Sequence, residues 1–143
     1  MLIRVFAAFA AICAGLPASA QSVTGRWAVT WDADVRIDHD TAIVRSRKPA
    51  TLELTQRGDS VVGTWSAGPD GHTPVRGTFD GRSLKLSSGT VERNGMIDGK
   101  LTPMKIRWDI AGSVEAAKIS GVLFLYMGVL PPVPRHWEAQ RAP

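Results

Sequence analysis

The sequence predicts an all-β fold: an antiparallel up-and-down meander of about eight or nine strands that closes as a small barrel, carried behind an N-terminal signal peptide. Three observations predict it. Apolar and polar residues alternate in segment after segment, as in half-buried strands. Turn dipeptides of the Asp-Gly and Asn-Gly kind separate these segments at near-regular spacing. No segment of the mature chain repeats its apolar residues at helical spacing.

Residues 1–20 carry one charge, Arg4, then an apolar run from Val5 to Leu16, then Pro17-Ala18-Ser19-Ala20. A basic start, a short apolar core and a small-x-small site are what signal peptidase reads, so cleavage is expected after Ala20. The run falls short of the roughly 20 apolar residues of a spanning helix, and no stable membrane anchor is expected after cleavage. The mature chain, 21–143, then resides in the periplasm or outside. Cys13 is the single cysteine, so the mature domain has no disulfide and relies on its core. Its length suits one domain.

The elements follow in order. From Gly25, Trp27, Val29 and Trp31 share one face while Arg26, Ala28 and Thr30 share the other. Asp32-Ala33-Asp34, Asp38-His39-Asp40 and Arg45-Ser46-Arg47-Lys48 read as a solvated loop at the barrel mouth. Leu52 and Leu54 resume the alternation, and Gln56-Arg57-Gly58-Asp59 turns the chain into Ser60–Trp65. Gly68-Pro69-Asp70-Gly71 is a turn by its chemistry and leads to Val75, Gly77 and Phe79 on one face. Asp80-Gly81 makes a hairpin with Leu84 and Leu86.

Between Thr90 and Thr102 two turn dipeptides, Asn94-Gly95 and Asp98-Gly99, lie too close together for each to serve a full strand, and the register stays open. Ile106, Trp108 and Ile110 form the next apolar face. A turn near Glu115 and a strand from Lys118 follow. Val122–Leu130 is apolar on both faces, as in a strand buried on both sides. Pro131, Pro132 and Pro134 interrupt pairing, and His136–Arg141 is a short closing strand with Trp137, Ala139 and Arg141 on one face. Pairing the first strand with the last removes both open edges of the meander.

With these residues placed, Gly25-x-Trp27 on the first strand, the run of hairpins and Arg141 on the last strand resemble the lipocalin and calycin barrels. The resemblance implies that Trp27 closes the barrel floor and that Arg141 packs across its ring, a cation–π contact.

Function is less legible. Lys plus Arg number 17 against 13 Asp plus Glu, a formal charge of +4, and the one dense basic run has no interleaved aromatics, so no nucleic-acid partner is expected. Asp32, Asp34, Asp38, Asp40 and His39 could ligate a cation only if they converged, and the solvated-loop reading is preferred. His39, His72 and His136 match no zinc spacing and are read as surface residues. No Gly-x-Ser-x-Gly elbow occurs. No catalytic residue, metal or cofactor is therefore expected. Arg57-Gly58-Asp59 is read as a turn despite spelling a cell-attachment tripeptide.

Of the five tryptophans, Trp27, Trp31 and Trp108 lie on apolar phases and are assigned to the core, while Trp65 and Trp137 stay open. The expected function is a non-catalytic binding module. It would take a small apolar ligand inside the barrel, against Trp31, Phe79, Leu86 and Phe124, or a protein partner at its rim. The alternative is an exported proteinase inhibitor acting through a free N-terminal segment, Gln21–Thr24.

Overall fold

The computed structural model describes residues 21–68, 71–128 and 131–143. The expected signal peptide (residues 1–20), the centre of the Pro69-Asp70 turn and the end of the Val122–Leu130 segment lie outside the described residues. Eight strands run in chain order: β1 (Gly25–Asp38), β2 (Thr41–Arg57), β3 (Ser60–Ser66), β4 (His72–Phe79), β5 (Ser83–Ile97), β6 (Lys100–Glu115), β7 (Lys118–Met127) and β8 (Val133–Arg141). Each pairs antiparallel with its neighbour in sequence, and β8 pairs with β1 to close the barrel. The closing ladder runs from Trp27 opposite Arg141 to Trp31 opposite Trp137, as the edge argument required.

The inward positions carry the alternation read from the sequence. Trp27, Leu52, Leu84, Ile119 and Leu123 are fully buried, and Val29, Leu54, Val61, Val75, Phe79, Leu86 and Ile110 nearly so. Burying such side chains contributes about 1.5–3 kcal/mol each and replaces the disulfides the chain lacks.

The lower end is sealed. Trp27 donates its Nε1–H to Val23 O at 3.0 Å, and Val23 is fully buried. The Arg141 guanidinium lies 4.4 Å over the Trp27 ring and donates to Thr24 O and Ser22 O, each at 2.7 Å. Gly25 has φ of 136°, and a Cβ there would meet Arg141 Nη1 at 2.9 Å. The Gly-x-Trp spacing thus leaves the guanidinium room to lie across the floor. The closing contact implied by the lipocalin resemblance is present.

Two expectations change. The stretch from Asp32 to Ala50 is not a loop: β1 and β2 continue as a two-stranded ribbon to a tight turn at His39-Asp40, both with positive φ. This ribbon projects past the barrel: on β1 the half-buried Ala33 and Val35 alternate with the exposed Asp34 and Arg36, but on β2 Ile43, Val44, Arg45, Arg47 and Lys48 are all exposed, so burial there does not mark a strand. Likewise residues 90–102 belong to a second ribbon whose turn is Asp98-Gly99. Asn94-Gly95 lies inside β5, opposite Pro103 and Thr102. Both ribbon tips and the β3–β4 and β7–β8 connections lie at the upper end, opposite the floor.

The Asp80-Gly81 hairpin is present but spans Asp80–Arg82, with Phe79 opposite Leu84. The Asp80 carboxylate accepts the N–H groups of Ser83 at 2.7 Å and Arg82 at 2.9 Å. These bonds hold its pKa below the usual carboxylate value.

Candidate ligand site at the barrel mouth

The axis of the barrel is filled by tryptophan. Trp137 meets Trp65 edge-on at 5.9 Å, Trp65 meets Trp31 at 6.0 Å, and Trp31 meets Trp108 at 5.6 Å. Each pair is T-shaped, the arrangement that sets a ring's positive edge on its neighbour's negative face. Four strands supply these rings: β8, β3, β1 and β6. Room comes from small residues opposite: Gly121 is the cross-strand partner of Trp137, and a Cβ on Gly112 would meet the Trp137 ring at 2.9 Å.

Above this stack the interior opens. A recess of about 290 Å³ is bounded by Trp31, Trp65 and Trp108, with Thr73, Ile106 and Leu125 completing its wall. A second recess of about 430 Å³ shares Trp31 and Ala67 with the first and is otherwise bounded by Ala33, Lys48 and Pro49. The opening exists because β4 pairs with β5 only from Arg76–Ser87 to Phe79–Leu84. Beyond that point β5 kinks through an irregularity between Ser87 and Thr90 and leaves with β6 into the second ribbon.

The rim is basic on its inward face. Lys48 is the cross-strand partner of Trp31. Arg135 sits 5.9 Å from the Trp31 ring and donates from Nη1 to the carbonyls of Asp32, at 3.2 Å, and Ala33. Those carbonyls are freed where β1 bulges away from its partners. Burial pulls the Arg135 pKa down from its ordinary value, against the opposing pull of Asp34 and Asp32. Asp32 is itself buried at 5% exposure, its carboxylate accepting from Arg47 Nε at 3.1 Å and from the His136 N–H at 3.2 Å.

The four residues expected to line a ligand cavity do not share one: only Leu86 and Phe124 meet, in a groove of about 430 Å³ outside the mouth. Trp31 lines both mouth recesses. Phe79 and Leu86 are buried in the packed core at 2% and 4% exposure. Phe124 is corrected outright: it is on the outer face, opposite Asp109 and Pro134, beside Arg76 and Lys85 in a surface groove. In a segment apolar on both faces the phase is ambiguous, and Leu123 and Leu125 occupy the inside.

Gly25, Trp27 and Arg141 sit together at the floor. Trp65 and Trp137, left open by the sequence reading, are both core. Trp65 is in phase with Val61, and Arg135 is in phase with Trp137 and Ala139, so the alternation would have pointed both residues inward.

Asp32 is engaged at the base of the first ribbon, while Asp38 and His39 bond each other at its tip, at 2.7 Å. The carboxylates therefore do not converge, and among the described residues no group of three or more His, Cys, Asp or Glu is placed to hold a metal ion. His39, His72 and His136 are exposed. Arg57-Gly58-Asp59 is the β2–β3 turn, with Gly58 at φ of 63° and Asp59 O accepting from Phe79 N at 2.8 Å.

Gln21–Thr24 does not project. Val23 N donates to Gln56 Oε1 at 3.0 Å, Thr24 Oγ1 accepts from Gln56 N at 2.9 Å, and Gln21 bonds Ala116 O. No family model matches this chain, and no curated protein or solved structure does either, so the closed eight-stranded barrel and its mouth stand on their own geometry.

Proposed function

We propose that this chain is an exported, non-catalytic binding module, a lipocalin-like barrel that takes a small apolar ligand into the recess between Trp31, Trp65 and Trp108. The observation that carries the reading is the asymmetry of the barrel. One end is sealed by Val23, Trp27 and Arg141, and the other ends in a concave aromatic wall. A recess of about 290 Å³ is at the small end of the size range of ligand pockets, which suits a compact ring compound better than a long acyl chain. Export rests on the leader sequence.

Native mass spectrometry of the mature protein purified from its source, together with tryptophan emission titrated with one- and two-ring compounds, tests the proposal. A co-purified small molecule, or saturable quenching that Trp108→Ala weakens, supports it. A ligand-free mass with no saturable quenching by any compound overturns it.

A protein partner at the rim is the second reading. It is favoured by apolar side chains left in solvent on the two ribbons: Ile43 and Val44 on the first and Leu101, 68% exposed, on the second. The inhibitor reading would require Gln21–Thr24 to leave the floor, breaking the bonds from Trp27, Gln56 and Arg141.

A further inference from the structure

We propose that the groove on the outer face of β4–β7 is a second binding site, apart from the mouth, and that it takes a small anion with an apolar body, held between Phe124 and the cations Arg76 and Lys85.

The groove follows from which outward positions are long and which are short. Along β4–β7 the inward side chains Val75, Leu84, Leu86, Ile110 and Leu123 are buried, so the positions alternating with them face out. Cross-strand pairing sets Arg76, Ser87, Asp109 and Phe124 in one row across the four strands, with Thr78, Lys85 and Ala111 in the row beside it. The short side chains Ser87 and Ala111 stand on the two central strands, and Arg76 and Phe124 stand at the margins. The result is a concavity of about 430 Å³, within the size range of small-molecule pockets.

Phe124 supplies the apolar wall, and Ala111 and Gly77 extend it. The Arg107 guanidinium covers the next outward ring on β7, Tyr126, at 4.2 Å. Phe124 is half-buried, and among the described residues no ring or guanidinium stacks on it.

Charge sets the sign of the ligand. Arg76 and Lys85 are exposed and diagonal to each other across β4 and β5, where long side chains come within reach and like charges repel. Neither is ion-paired among the described residues. The carboxylate in the groove, Asp109, is already engaged: Ser87 Oγ donates to its Oδ1 at 3.1 Å, and Arg107 Nη2 lies 3.2 Å from its Oδ2. Asp80, a second acid within the field of Lys85, accepts from the N–H groups of Arg82 and Ser83. An incoming anion therefore meets two uncommitted cations and relieves their repulsion, whereas a cation would add a third like charge. The apolar body of the ligand lies against Phe124.

Three probes of one shape test this on the mature protein by amide ¹⁵N–¹H titration: 4-tert-butylbenzoate, 4-tert-butylbenzyl alcohol and 4-tert-butylbenzylammonium. The benzoate should shift the amides of Ser87, Ala111 and Phe124. Two solvent-exposed ion pairs contribute modestly each, so it should bind about tenfold tighter than the alcohol, a margin of about 1.4 kcal/mol. The ammonium should bind more weakly than the alcohol, and added salt should weaken the benzoate alone. In Arg76→Gln and Lys85→Gln the benzoate affinity should fall toward that of the alcohol, whose own affinity holds, and in Phe124→Ser benzoate and alcohol should both weaken. Circular dichroism checks that each variant keeps its fold.

None of the five tryptophans lines the groove, so tryptophan emission separates this site from the mouth. Groove amides that shift while emission holds support the inference. Equal affinity for benzoate and alcohol, tighter binding of the ammonium, or benzoate binding unchanged in both glutamine variants would overturn it. Shifts confined to Trp31, Trp65 and Trp108 with quenched emission would overturn the groove while supporting the mouth. Absence of any shift would overturn the groove and leave the mouth to its own test.

Discussion

The floor lends itself to a double-mutant cycle between Trp27 and Arg141. Trp27 is fully buried, so Trp27→Ala removes a ring from a packed site and should cost about 3–5 kcal/mol. Arg141 is exposed, which places its cation–π contact at about 0.5–1 kcal/mol. Its two hydrogen bonds to Ser22 and Thr24 add about 0.5–1.5 kcal/mol each. Arg141→Ala should therefore cost about 2–3 kcal/mol in all, less than the ring. Without the ring, the guanidinium loses its stacking partner, and the segment it binds loses the Trp27–Val23 bond. The double mutant should consequently lose less than the sum of the singles by about 1 kcal/mol. Urea midpoints at constant m-value measure all four corners. Additivity to within about 0.5 kcal/mol would mean that the contact across the ring contributes nothing, and the floor would be held by burial alone.

Other predictions concern the turns and the seam. Gly81 has φ of 99°, so Gly81→Val should cost about 1–3 kcal/mol by urea unfolding, more than an ordinary surface change. Asp80 has a folded-state pKa below its unfolded value of 3.8, so its contribution is complete above that pH and is lost as pH falls through the folded value. The stability difference between wild type and Asp80→Asn should accordingly be present at neutral pH and vanish in strong acid. Asp32→Ala removes the acceptor of Arg47 and of the His136 N–H and should cost about 1–3 kcal/mol. Deleting Pro134–Pro143 removes most of β8, leaving the first strand's edge open. The truncated protein should aggregate or unfold, as light scattering and circular dichroism would show.

The barrel was legible because burial and period coincide within it. Trp27, Val29 and Trp31, or Leu84 and Leu86, announce both a strand and its inward face. Where the two ribbons leave the barrel, that coincidence ends. There the exposed Asp34 and Arg36 alternate only with the half-buried Ala33 and Val35, while Ile43, Val44 and Arg45 on the partner strand are all exposed, so backbone pairing and the His39-Asp40 turn carry the ribbon. Phe124 was misplaced for the opposite reason, since a uniformly apolar segment has two equally plausible phases and only the competition with Leu123 and Leu125 for the interior decides between them. The mouth was the least legible. Trp31, Trp65, Trp108 and Thr73 come from β1, β3, β6 and β4, and no spacing along the chain shows that they meet.

The single seam between β1 and β8 also bears on how the chain folds. Every other pairing joins neighbours in sequence and can form as a hairpin on the microsecond scale. Closure instead brings together groups as far apart as Arg141 and Ser22, 119 positions along the chain, and must bear the entropy of the whole loop at once. That step gates the ordering of the tryptophan stack, since Trp137 arrives with β8 and Trp31 is held by its pairing with it. Amides of the closing ladder should then exchange together with those at the base of the mouth, as one cooperative unit. The ribbon tips would open independently and far more often.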